Sequence, residues 1–144
     1  MKKTLILVSL VWLLTGCSST EEFTKTCTQS QDMPELKVTE KKAVTFNNHD
    51  EVTSVVVTRT YKAKDSSGLS AIKEIKQSAE NYNNNLAQSQ HLKIAVITDD
   101  EDKYVLKYYL DVPFMNEEEL SIFNVQKNSV KFFNKMRTEN IDCE

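Results

Sequence analysis

From Glu51 the chain reads EVTSVVVTRTYKA, then DSSG, and from Leu69 onward its period changes. In the first stretch β-branched Val and Thr residues alternate with polar ones, the two-residue period of a strand with one wet face. In the second, Leu69, Ile72, Ile75, Ala79, Tyr82 and Leu86 recur at three- and four-residue spacing and form the apolar stripe of a helix. A chain that switches period this cleanly must hold strands and a helix in one core. Gly16, Gly68, Pro34 and Pro113 are its only glycines and prolines, so the elements are long.

The same two periods sort the rest. Residues 23–30, FTKTCTQS, alternate with threonine and predict a first strand, broken by QDMPE at Pro34. Residues 36–47 predict a second strand and residues 51–63 a third, and the NNHD cluster between them predicts a hairpin. Beyond the helix, residues 91–98 predict a fourth strand with Leu92, Ile94 and Val96 on one face. DDED is a turn. Residues 103–112 predict a fifth strand in which Tyr104, Leu106, Tyr108, Leu110 and Val112 alternate. NEEEL opens a helix, with Asn116 as cap and Glu119 completing a capping box. A last helix follows in SVKFFNKMRTEN, with Ser129 as cap and Val130, Phe133 and Met136 facing inward. Strands followed by helices predict an α+β fold: a five-stranded, mainly antiparallel sheet with helices packed on one face.

The N-terminus is of a different kind. Lys2 and Lys3 precede an apolar run over residues 5–14, too short for a membrane span of about 20 residues. A positive start, a short apolar core and a small residue at the end read as a secretory signal. Leu14-Thr15-Gly16-Cys17 is more specific, because it resembles the lipobox of bacterial lipoproteins. The competing readings are an ordinary secretory signal with a chance cysteine and an uncleaved anchor. The resemblance implies a lipid on the Cys17 thiol, cleavage just before Cys17 and acylation of the new amino end. The layout is then a signal peptide at 1–16, a lipidated tether at 17–22 and a single domain at 23–144. Two acyl chains hold a protein on a membrane where one does so only marginally. The tether reaches roughly 13 Å, which keeps the domain near the lipid. The expected location is the extracytoplasmic face of the cell membrane, lipid-anchored.

Charge narrows the partners. Lys2 and Lys3 are two of 18 basic residues, which leaves 16 against 21 acids from Cys17 on, a formal charge of −5. That argues against nucleic acid as a partner and against electrostatic adhesion to anionic lipid. The membrane is a partner through the lipid, and a further partner would be a protein or a small molecule.

Once Cys17 is lipidated, Cys27 and Cys143 remain. An exported chain permits disulfides, and two thiols allow one pairing, here between residues near the two ends of the domain. The alternatives are two free buried thiols, or a metal or redox pair. No CxxC spacing and no neighbouring histidine favours the last. Taken together, the lipobox, the polar tether, TCT in the first strand, the Val/Thr hairpins, the long helix and the terminal IDCE resemble small lipoproteins of low-GC Gram-positive bacteria. They are also distantly similar to the YehR-like lipoproteins. The specific points are Cys17, Cys27 and Cys143, and the resemblance implies no catalytic residue and no cofactor.

Other residues could carry chemistry. His49 in a turn and His91 at a strand start belong to no metal-ligand pattern and read as exposed polar residues. Two glycines leave no room for a phosphate-binding loop or a nucleophile elbow. Residues 99–102 offer carboxylates but lack the spacing of a calcium loop, so they read as a solvated hairpin tip. Glu117, Glu118 and Glu119 read as a helix start. Tyr104, Tyr108 and Tyr109 either line a sugar- or peptide-binding face or sit half-buried in the sheet. The expectation is a non-enzymatic surface lipoprotein that binds a partner or ligand, without metal or cofactor. The alternatives are an immunity or inhibitor lipoprotein at the membrane surface, and an enzyme with an unrecognised site.

Overall fold

The computed structural model of the protein describes residues 20–86 and 90–144. The signal segment, Cys17 and the start of the tether lie outside the described residues, as does the Leu86 side chain at the end of the helical stripe. The elements run β1 (Glu22–Asp32), β2 (Leu36–Asn47), β3 (Val52–Ala63), α1 (Ser66–Leu86), β4 (Leu92–Asp99), β5 (Lys103–Asp111), a 3-10 turn (Val112–Phe114), α2 (Glu117–Ile122) and α3 (Ser129–Thr138). The sheet order is β1-β2-β3-β5-β4 with every neighbouring pair antiparallel. The fold is therefore α+β with a five-stranded antiparallel sheet. β1, β2 and β3 follow one another as hairpins. α1 then carries the chain to the far edge, and β5 returns between β4 and β3.

Strand periodicity divides the sheet into a covered and an open face. On the covered face Cys27, Lys42, Val57 and Tyr108 lie side by side across four strands, as do Val44, Val55 and Leu110 across three. All of these are buried. The open face is a field of hydroxyls in which Thr24 meets Thr45 at 3.0 Å and Ser30 meets Thr39 at 3.2 Å. All three helices cover the first face. Phe123 after α2 packs on Tyr108, and Phe133 of α3 packs edge-on against Phe46.

The local signals explain where elements begin and where the sequence-based bounds shift. α1 starts at Ser66, before the predicted Leu69, because the Asp65 carboxylate accepts from the Gly68 amide at 2.9 Å. Gly68 is required there: a Cβ would come within 2.2 Å of the Glu35 carbonyl oxygen, backbone that cannot swing aside. α2 carries the predicted capping box, Asn116 and Glu119 each bonding the other's amide at 2.9 Å. β4 sets Leu92, Ile94 and Val96 opposite Leu110, Tyr108 and Leu106 on the covered face, as the alternation predicts; Leu92 is buried, whereas Val96, at the register shift before Thr98, is 52% exposed.

α3 corrects two expectations. Its cap is Asn128, whose side chain accepts from the Lys131 amide at 3.0 Å, so Ser129 is the first helical residue instead of the cap. The buried stripe then runs Ser129, Phe132, Met136 at i, i+3, i+7, and Val130 is 48% exposed. Phe133 stays partly buried. The helix ends in a Schellman turn. Asn140 takes the left-handed conformation at φ 56°, and the Ile141 amide reaches back to the Met136 carbonyl at 2.9 Å. Asn is a residue that tolerates this conformation. The turn points the tail back at β1.

Candidate functional site

The tail arrives at the free edge of β1. Thr26 and Glu144 exchange backbone hydrogen bonds at 2.7 and 3.0 Å, which makes Cys27 and Cys143 the adjacent non-hydrogen-bonded pair. Such pairs bring Cα atoms to about 4.5 Å, and here they are 4.0 Å apart, joined as a disulfide. That spacing is shorter than the common 4.4–6.8 Å range, as a directly cross-strand bridge requires. Both predicted cysteines therefore meet, and the bond locks the C-terminus onto the first strand.

The same face holds a charged group in an otherwise apolar setting. Glu40 on β2 lies directly opposite Arg59 on β3, and Lys42 is two residues along on the same side. Arg59 Nε donates to one Glu40 oxygen at 2.6 Å, and Lys42 Nζ meets the other at 3.0 Å. Burial alone would push the Glu40 carboxyl up, but the Arg59 hydrogen bond and the charges of Lys42 and Arg59 outweigh it and hold it below the usual value. The Arg59 guanidinium lies 5.5 Å from the Tyr108 ring centre and 5.8 Å from that of Phe123.

Beside this group, between α1 and the sheet, opens a cleft of about 550 Å³. Arg59, Tyr61, Leu106 and Tyr108 form its floor, and Ile75, Ala79 and Tyr82 of α1 form its wall. Tyr61 stacks on Tyr104 at 6.4 Å between centres. Four of the five tyrosines thus gather under or on α1. Burial pushes the phenols of Tyr61, Tyr104 and Tyr108 up, so they stay neutral hydrogen-bond donors. A second hollow of about 390 Å³ opens by His91, Lys93, Tyr109 and Asp111. It is shallower in chemistry: its ionic contact, His91 to Asp111, spans 3.8 Å at a solvent-exposed position.

The remaining sequence candidates fall into place. His49 sits exposed in the β2–β3 turn, and His91 stacks on Phe114. Among the described residues no three His, Cys, Asp or Glu side chains converge as a metal would require. The acidic tip at 99–102 does structural work. Lys76 of α1 pairs with Asp99, donates to the Asp100 carbonyl at 2.8 Å and lies over Tyr104. Glu117, Glu118 and Glu119 form the first turn of α2. Of the three tyrosines singled out from sequence, Tyr104 and Tyr108 are buried beneath α1, whereas Tyr109 lies on the open face. Arg59, Glu40, Lys42, Tyr61 and Tyr82 were not singled out. The signal for the first two was partial: alternation puts Arg59 on the Val55–Val57 face, but counting outward from NNHD sets Glu40 opposite Thr58, and the register shift between Thr45 and Phe46 brings it to Arg59.

No family model matches the sequence, and no curated protein does. A solved structure does match in fold: an NMR structure of a protein from Streptococcus pneumoniae TIGR4, at a TM-score of 0.57 and 10% identity. The match covers 100% of this chain and 98% of that one. At that identity the likeness concerns the fold alone.

Proposed function

We propose that this protein is a lipoprotein held on the extracytoplasmic face of a bacterial cell membrane by acyl chains on Cys17, acting there by binding rather than by catalysis. The observation that carries the reading is Cys17 at the end of LLTGC, followed by a domain closed by the Cys27–Cys143 disulfide. The lipobox supports anchoring. The disulfide supports export, because such bonds persist outside the reducing cytosol. The cleft supports a binding role. Its lining of tyrosines, aliphatic side chains and an arginine already paired with Glu40 suits holding a ligand more than breaking a bond.

Replacing Cys17 tests the anchor. The Cys17→Ala protein should leave the membrane pellet almost entirely and appear in the soluble extracytoplasmic fraction, since two acyl chains are needed for stable attachment. A Cys17→Ala protein that stays in the membrane fraction as fully as the wild type would refute lipid anchoring at this residue.

A further inference from the structure

The Glu40, Lys42 and Arg59 trio on the covered face leaves one positive charge over. Lys42 and Arg59 share the single carboxylate of Glu40, and among the described residues neither has another ion-pair partner. Lys42 is buried at 5% exposure beneath the helices. Arg59 spends Nε on Glu40 and makes no other hydrogen bond to a described residue, so its Nη groups are the open end of the trio. Arg59 lines the cleft. Tyr108 lines it too, is 3% exposed, and its hydroxyl bonds no described residue. The hydroxyl is not sealed from solvent, so it is open to donate to a group that enters the cleft. The Tyr61 hydroxyl, on a half-buried side chain lining the same cleft, bonds no described residue either.

The rest of the cleft sets the ligand's body. Ala71, Ile75, Ala79 and Leu106 give apolar walls, and the volume of about 550 Å³ falls in the range of small-molecule sites. Glu74 also lines it. One surplus positive charge with an acid at the rim favours a monoanion over a phosphate dianion. We infer that the cleft takes a small organic acid, one carboxylate on an apolar or aromatic body, with the carboxylate on the Arg59 Nη edge and the Tyr108 hydroxyl. The body lies between α1 and the sheet. Arginine presents paired donors that match a carboxylate, and such charge-assisted bonds are strong where water is scarce. This inference rests on the binding role proposed for the protein and names the class of its ligand.

Isothermal titration of the full lipidated chain in nanodiscs, with empty nanodiscs as blank, tests it with 2-naphthoate and its neutral amide. The acid should bind saturably at one site and the amide roughly ten-fold or more weaker. Tyr108→Phe, which keeps the ring and its packing, should weaken the acid about ten-fold while leaving the near-ultraviolet circular dichroism unchanged. Arg59→Lys keeps a charge for Glu40 but loses the fork, and should weaken it similarly. Equal affinity for acid and amide, or an acid affinity untouched by both variants, would overturn the inference yet leave the cleft a ligand site. Saturable binding of neither probe would remove the cleft as a binding site altogether, while attachment through Cys17 is read separately by fractionation.

Discussion

Cys143→Ser should lower the stability of the protein by about 2–5 kcal/mol, the usual cost of removing a native disulfide from a small secreted domain. Two effects add. The bond joins residues 116 apart in sequence, so it constrains nearly the whole domain in its unfolded state. The chain-entropy estimate for a loop of about 100 residues is about 4.7 kcal/mol. In the folded state the bond holds a tail that is otherwise tied to β1 by only the Thr26, Thr28 and Glu144 backbone bonds. Such a tail frays when released. Fraying would also uncover Ile141 and expose the outer edge of β1, which the tail now pairs. Urea unfolding with and without reductant measures the effect. Cys27→Ala, Cys143→Ser and the double variant should share one midpoint, because each removes the same bond. A wild-type midpoint that does not move on reduction would contradict the assignment.

Glu40→Gln should cost about 1–3 kcal/mol, below the full range for a buried ion pair because Glu40 and Arg59 remain 20% and 24% exposed. The amide keeps the shape but leaves Lys42 and Arg59 facing each other without the carboxylate between them. The same residue gives the protein part of its acid sensitivity. The folded pKa of Glu40 lies below its ordinary value of 4.5. Its contribution to stability is therefore complete above pH 4.5 and is lost as the pH falls through the depressed folded value. Stability measured by urea midpoint from pH 7 down to pH 3 should fall more steeply in the wild type than in Glu40→Gln. Parallel slopes for the two proteins would show that Glu40 is not ionised and paired in the folded state.

Much of this architecture was legible because the residues obey one rule at a time. β2 is delimited by Pro34 before it and NNHD after it, and its bounds follow from sequence without change. β5 alternates apart from Val105, which is buried as well, so its covered face of Tyr104, Leu106, Tyr108 and Leu110 is read directly. The reading fails where two rules compete. In α3 the adjacent Phe132 and Phe133 both suit an inward position, and the packing uses both, Phe132 fully buried and Phe133 half-buried against Phe46. Past Val96 a register shift interrupts the period of two and leaves Ile97 exposed. The cleft was hidden for a different reason. Its residues come from β3, β5 and α1, and only the sheet order brings Tyr61 beside Tyr104 and sets α1 above them. The disulfide was accessible earlier than either, since removing Cys17 from the count left a single pairing.

The anchored, disulfide-closed state is the central claim, and the intact mass of the protein extracted from membranes without reductant tests it most directly. The account predicts a chain that begins at Cys17, carries the added mass of its acyl groups, and gains two hydrogens when Cys27 and Cys143 are reduced. A mass matching all 144 residues, or one cut elsewhere and free of lipid, would contradict it.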